Sequence, residues 1–185
     1  MGKRKPKVRL RGKHDDLLAR WEGGLEEIQT LKSAAVGSKD QAPDAAPEAI
    51  LKVGIYRLMN ELLATYGGAD LETVLAHKME SAPRMSFELN PYYWALKAAA
   101  KDGELDIDPH RISRYAAEMR YARRHQLPAE LLVGFLHQVG AKNIATKLRE
   151  GVLESWYPPT PTWLPSPEAS IMRARKQRSN KGRPA

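Results

Sequence analysis

Residues 109–126 read PHRISRYAAEMRYARRHQ, and the spacing within this stretch decides the fold class. Ile112, Tyr115, Ala116, Met119 and Ala122 recur at three- and four-residue intervals, the period of one helix face. Five arginines fall on the remaining sides. Asp108-Pro109 ahead of the stretch supplies a cap and a first-turn proline, and Leu127-Pro128 behind it breaks the pattern. The spacing predicts an amphipathic helix with an apolar stripe to bury and a cationic back.

The same grammar recurs on both sides. After the break, Leu131, Leu132, Phe135, Leu136 and Val139 predict a strongly apolar helix that Gly140 ends. A final helix over 141–155 is expected to use Ile144, Leu148 and Val152. Upstream, Asn90-Pro91 opens a helix through Lys101, with Gly103 as its stop. Pro47 opens another whose face is Leu51, Ile55, Leu58, Met59, Leu62, Leu63 and Tyr66, and Gly67-Gly68 end it. Asp70 is expected to cap a third helix carrying Leu71, Val74, Leu75 and Met79. The first helix starts near Asp15 with Leu17, Leu18, Trp21, Leu25, Ile28 and Leu31. Its Gly23-Gly24 pair costs about 1 kcal/mol per glycine relative to alanine, so a kink or a close helix contact is expected there.

Two short segments, 85–89 and 105–107, alternate apolar and polar residues. They read either as a minor two-stranded β element within 85–107 or as plain loop. The expectation is therefore an all-α bundle of six to seven helices with basic N- and C-terminal tails. In domain terms, 1–13 is a basic arm, 14–155 a helical body with a linker at 37–47, 156–167 a Trp/Pro-rich strap, and 168–185 a basic tail.

A chain of 185 residues buries enough surface on folding to need no covalent staple. Cysteine is absent, which excludes disulfides and thiolate metal sites and fits a reducing compartment. No apolar run reaches the ~18 residues of a membrane span, and no hydrophobic stretch follows the basic amino terminus. A soluble cytoplasmic protein without membrane partners is expected, a nuclear or organellar destination remaining open.

The net charge of +8 is unevenly placed. Residues 1–13 hold seven Lys/Arg and no acid, and 168–185 hold six Lys/Arg and one Glu. The stretch between holds 17 Lys/Arg against 21 Asp/Glu, so the body is mildly acidic and the basicity belongs to the arms.

These charges mark DNA or RNA as the expected partner, together with protein subunits of a larger nucleoprotein assembly. Lys3, Arg4, Lys5, Lys7, Arg9, Arg11 and Lys13 are spaced so that an extended chain can follow a phosphate backbone and release counterions. Arg173, Arg175, Lys176 and Arg178 give the carboxy-terminal tail the same composition, and a solubilising tail is the plainer reading of both.

Arg111, Arg114, Arg120, Arg123 and Arg124 form a sharper cluster, because the planar guanidinium reads phosphates and base edges well. Tyr121 and His125 are expected beside Arg114 on the exposed side as a stacking platform. The competing reading pairs the arginines with the acids of 102–108. Helices either side of Gly140, the second bearing Lys142, Lys147 and Arg149, have the spacing of a helix-turn-helix, a pattern any helical bundle also produces. Trp156, Tyr157 and Trp163 in the strap are expected either to fold back on the core or to dock on a partner.

No catalytic motif is present. Five histidines are scattered without metal-ligand spacing, and His137, on an apolar helix, reads as a core residue. Asp102, Glu104, Asp106 and Asp108 lack the glycine and distal glutamate of a calcium loop. No phosphate-cradling glycine loop or nucleophile elbow occurs. A non-catalytic protein with no cofactor, metal or small-molecule substrate is expected. The rival reading is a protein–protein adaptor using the acidic body and the Trp/Pro strap, with tails that only solubilise.

Overall fold

Seven α-helices form among the residues that the computed structural model describes, which are 12–36, 45–79, 82–101, 103, 105–140 and 143–156. They are α1 (Lys13–Ala35), α2 (Pro47–Tyr66), α3 (Gly68–Lys78), α4 (Pro91–Lys101), α5 (Pro109–Arg124), α6 (Leu132–Val139) and α7 (Ile144–Glu150). A 3-10 turn, Ala129–Leu131, leads into α6.

Three helices start on proline, whose fixed φ suits the first turn and whose missing N–H is one the helix cannot use there. Asp108 caps α5 by accepting from the His110 amide at 2.9 Å, and Asn90 Oδ1 accepts from the Tyr93 amide at 3.3 Å. Gly67 sits between α2 and α3 at φ 84°, so the chain turns without an intervening loop. That geometry leaves Asp70 inside the first turn of α3 rather than at its cap. Gly151 at φ 70°, in the left-handed region, stops α7 five residues short of the expected end. Val152 accordingly lies exposed rather than in a helical core face.

α1 and α2 pack on each other most extensively. A Cβ placed on Gly54 would lie 2.5 Å from Cγ1 of Ile28, and one on Gly24 would lie 2.6 Å from Cδ1 of Leu58. The glycines are therefore what lets the two helices approach, which is the close contact expected at Gly24. One hydrophobic cluster runs from Leu17 and Trp21 in α1 to Ile144 in α7. Each large aliphatic side chain buried there contributes roughly 1.5–3 kcal/mol relative to exposure. Leu31, expected in this cluster, is exposed near the end of α1.

Two tyrosines fix α2 against its neighbours. Tyr56 donates to the Leu127 carbonyl at 2.8 Å, and Tyr92 donates to Asn60 Oδ1 at 2.6 Å, with their rings stacked 5.4 Å apart. Neither expected strand segment forms a strand, and none occurs among the described residues. Residues 85–89 fold as bend and turn, with Phe87 buried edge-on to Trp94 and the Trp94 indole donating to the Met85 carbonyl at 2.7 Å. Leu105 and Ile107 are both buried, so the alternation there records two anchors under a loop. No helix among the described residues is long and apolar enough to cross a membrane.

Candidate nucleic-acid interface

α5 carries all five arginines of the cluster, and the fold divides them into two groups with different electrostatics. In its first half, Arg111 lies 3.0 Å from Glu48 and 3.4 Å from Asp108, while Arg114 lies 3.2 Å from Glu48 and 3.6 Å from Glu118. Lys52 reaches both Glu48 and Glu118 at 3.1 Å. Three cations thus face three carboxylates. Glu118 is almost wholly buried, and an unpaired charge there would be costly, so this network holds α2 to α5. Burial alone would raise the Glu48 carboxyl, but Lys52, Tyr115 and Arg114 outweigh it and hold the group below the usual range.

The competing expectation of internal pairing therefore holds for Arg111 and Arg114. Their main partner is Glu48 on α2, though, not the acids of 102–108. Of those acids, Asp108 caps α5 and pairs with Arg111, and Asp102 and Glu104 lie outside the described residues.

The second half of α5 is different. Among the described residues, no carboxylate lies within ion-pair distance of Arg120, Arg123 or Arg124. All three line a single cleft of about 690 Å³. Its other walls come from the α2–α3 turn (Leu63, Gly68, Glu72) and from the 87–92 segment that opens α4. Arg124 and Arg120 are one turn apart, a like-charge spacing that is mildly unfavourable. Partial burial and the charge of Arg124 both push the Arg120 guanidinium down, though an arginine stays charged under such shifts. Burial pushes the Tyr92 phenol up, and Arg123 beside it acts in the opposite direction. Arg124 donates to the Leu148 carbonyl of α7 at 3.4 Å, so an anion entering this cleft would meet three guanidinium charges, one of them partly engaged, with Glu72 and Glu88 also on the walls.

The expected Tyr121/His125 platform is corrected by the fold. Tyr121 is fully buried, with its ring 4.8 Å from His125 and 5.8 Å from Phe135, and its hydroxyl accepts from the Glu154 amide at 3.3 Å. The apolar face of α6 covers this side of α5, which periodicity within α5 could not reveal. His137, expected in the core, is instead exposed on α6.

Lys13 belongs to the first turn of α1 and contacts Asp70 at 2.6 Å, so it is not part of an extended arm. Lys147 is turned inward, donating to the Val139 carbonyl at 2.6 Å and pairing with Glu154 at 2.6 Å. That removes it from a recognition surface, while Arg149 beside it is exposed. Trp156 packs edge-on against Phe135 at 5.5 Å, so the start of the strap folds back on the core. Lys3, Arg4, Lys5, Lys7, Arg9, Arg11, Lys142, Tyr157, Trp163, Arg173, Arg175, Lys176 and Arg178 lie outside the described residues.

Sequence reasoning missed Tyr93, which lines a hollow sharing Arg120 with the arginine cleft, and Arg84 and Lys97, which line a further hollow that shares Tyr93 with that one. Tyr93 and Lys97 stand four apart on α4, with the ammonium 5.8 Å from the ring centre, and that spacing is readable in the sequence. Compared with known proteins, the chain matches no family model, no curated protein and no solved structure.

Proposed function

We propose that this protein is a non-catalytic nucleic-acid-binding subunit of a larger nucleoprotein assembly, working in a reducing intracellular compartment. One observation carries the reading: Arg120, Arg123 and Arg124 converge on one cleft without a carboxylate partner among the described residues, while Arg111 and Arg114 are neutralised. A fold that has acids available for two arginines of a helix and leaves three without a carboxylate, one of them held only by the Leu148 carbonyl, fits an anionic partner at that end. The basic segments 1–11 and 168–185 would add sequence-independent phosphate contacts to this edge.

The test is binding of the full chain to fluorescent DNA and RNA oligonucleotides, titrated with salt. Each phosphate neutralised contributes about −0.7 to −0.9 to the log–log slope, so a steep slope is expected. Replacing Arg120 and Arg123 by Gln should weaken binding with the fold retained, and adding R124Q, which also removes the Leu148 carbonyl contact, should weaken it further at a small cost in melting temperature. Absence of binding at low salt would sink the proposal and leave the adaptor reading, in which the exposed Val152 and Leu153 beside Trp156 face a protein partner.

A further inference from the structure

Three hollows follow one another along α5. The arginine cleft shares Arg120 with a second hollow of about 300 Å³, whose other walls are Tyr93 of α4 and Arg149 of α7. Tyr93 in turn lines a third hollow, of about 570 Å³, bounded by Arg84 and Lys97 and reaching Ile112 near the start of α5. From Ile112 to Arg124 this path follows the helix for roughly 18 Å, at 1.5 Å per residue. Its middle stretch is floored by Ser113 and Ala117, whose short side chains keep it open. Among the described residues, no Asp or Glu lines the second or third hollow.

We infer that this path is a binding groove for a single strand of nucleic acid, in which Arg84, Lys97, Arg149 and Arg120 follow the phosphates and Tyr93 stacks on a base. The inference rests on the nucleic-acid reading above and adds to it the strandedness of the ligand and four residues outside the arginine cleft. The shape favours a single strand because the cations stand on the walls of a concave path. A duplex is normally entered by a protruding helix or ribbon, since its major groove is itself the cavity. The half-buried Tyr93 ring, with the Lys97 ammonium 5.8 Å from its centre, supplies what an electrostatic groove alone lacks: an aromatic surface on which an unpaired base can stack once Lys97 turns to a phosphate, and which a paired base cannot reach. DNA and RNA share the chemistry used here, a phosphodiester chain with unpaired bases.

The experiment measures anisotropy of labelled fifteen-residue oligo-dT, oligo-U and a hairpin duplex of matched length against the full chain. The parent protein should prefer either single strand over the duplex by about tenfold or more. The pair R84Q and K97Q should weaken single-strand binding and lower its salt slope by about 0.7 for each lost contact. Y93L should weaken it roughly fivefold or more while Y93F retains it, and a Y93L melting temperature close to the parent's separates lost stacking from lost packing. Melting curves of each variant identify any that fail to fold, and R84Q, at an exposed position, keeps the test decisive if Y93L does not fold.

Equal or tighter binding of the duplex would overturn the inference. So would parent-like binding by R84Q/K97Q in a chain whose R120Q/R123Q/R124Q variant is impaired, and in that case the general nucleic-acid reading would stand. If no oligonucleotide binds at low salt, both fall. Preference for oligo-dT over oligo-U, or the reverse, assigns the source of the strand and supports the groove either way.

Discussion

His125 follows α5 with its ring between Tyr121 and Phe135, 4.8 and 4.9 Å between centres, and its Nε2 is buried without a hydrogen-bond partner. Burial holds the imidazole below its ordinary value of 6.5, with the Glu154 carboxylate pulling the other way. When pH falls through 6.5 the unfolded chain takes up a proton that the folded site resists, so this residue's contribution is complete above that pH and is lost below it. The melting temperature should therefore fall between pH 7.5 and pH 5. H125F, which keeps the ring contacts and removes the titration, should fall less over the same range. Parallel curves for the two proteins would show that His125 does not supply this dependence. In sequence, Tyr121 and His125 stand four apart, so their shared face was legible. That this face is the buried one was not, because α6, which brings Phe135 to it, is a separate element.

At the scale of elements, glycine does two opposite things in this bundle. Gly23 has nothing within 4 Å of where a Cβ would stand, whereas at Gly54 the added atom would meet the branched Ile28 side chain near its base. G23A should stabilise the protein by up to about 1 kcal/mol through helix propensity alone. G54A should destabilise it by about 1–3 kcal/mol from overpacking, reduced by that same propensity gain. Urea unfolding of both variants measures the two signs, and a stabilising G54A would mean that α1 and α2 are free to separate. The starts of α2, α4 and α5 were legible because proline acts locally, before any packing is considered. The end of α7 was read too late: Val152 continues the apolar spacing, but Gly151 takes a left-handed conformation that stops the helix first. Residues 85–89 misled in a related way, since alternation toward one buried side also arises where Phe87 anchors a turn under Trp94.

Over the whole molecule, charge is layered. Basic segments flank an acidic body, and within that body one neutral network and one unpaired arginine end share a single helix. The location of the basic segments was plain from composition. The arginine cleft was not, because its walls come from α2, α3, the 87–92 segment and α5, which only long-range packing assembles. This layering separates two contributions to binding that a single affinity would merge. The Lys/Arg-rich sequences 1–11 and 168–185 would supply charge without base contacts, so they should contribute equally to single strands and duplexes. Replacing Arg173, Arg175, Lys176 and Arg178 by Gln should weaken both ligands together and lower the single-strand salt slope by up to about 0.7 per residue. The ratio of the two dissociation constants should stay as it was. Variants in the groove should instead change the ratio, because Tyr93 and the α5 wall reward only an unpaired strand. Measuring both constants for both kinds of variant gives the decisive comparison. If the tail variant abolishes the preference, discrimination resides in the tails, and the unpaired arginines of α5 serve a purpose other than reading a strand.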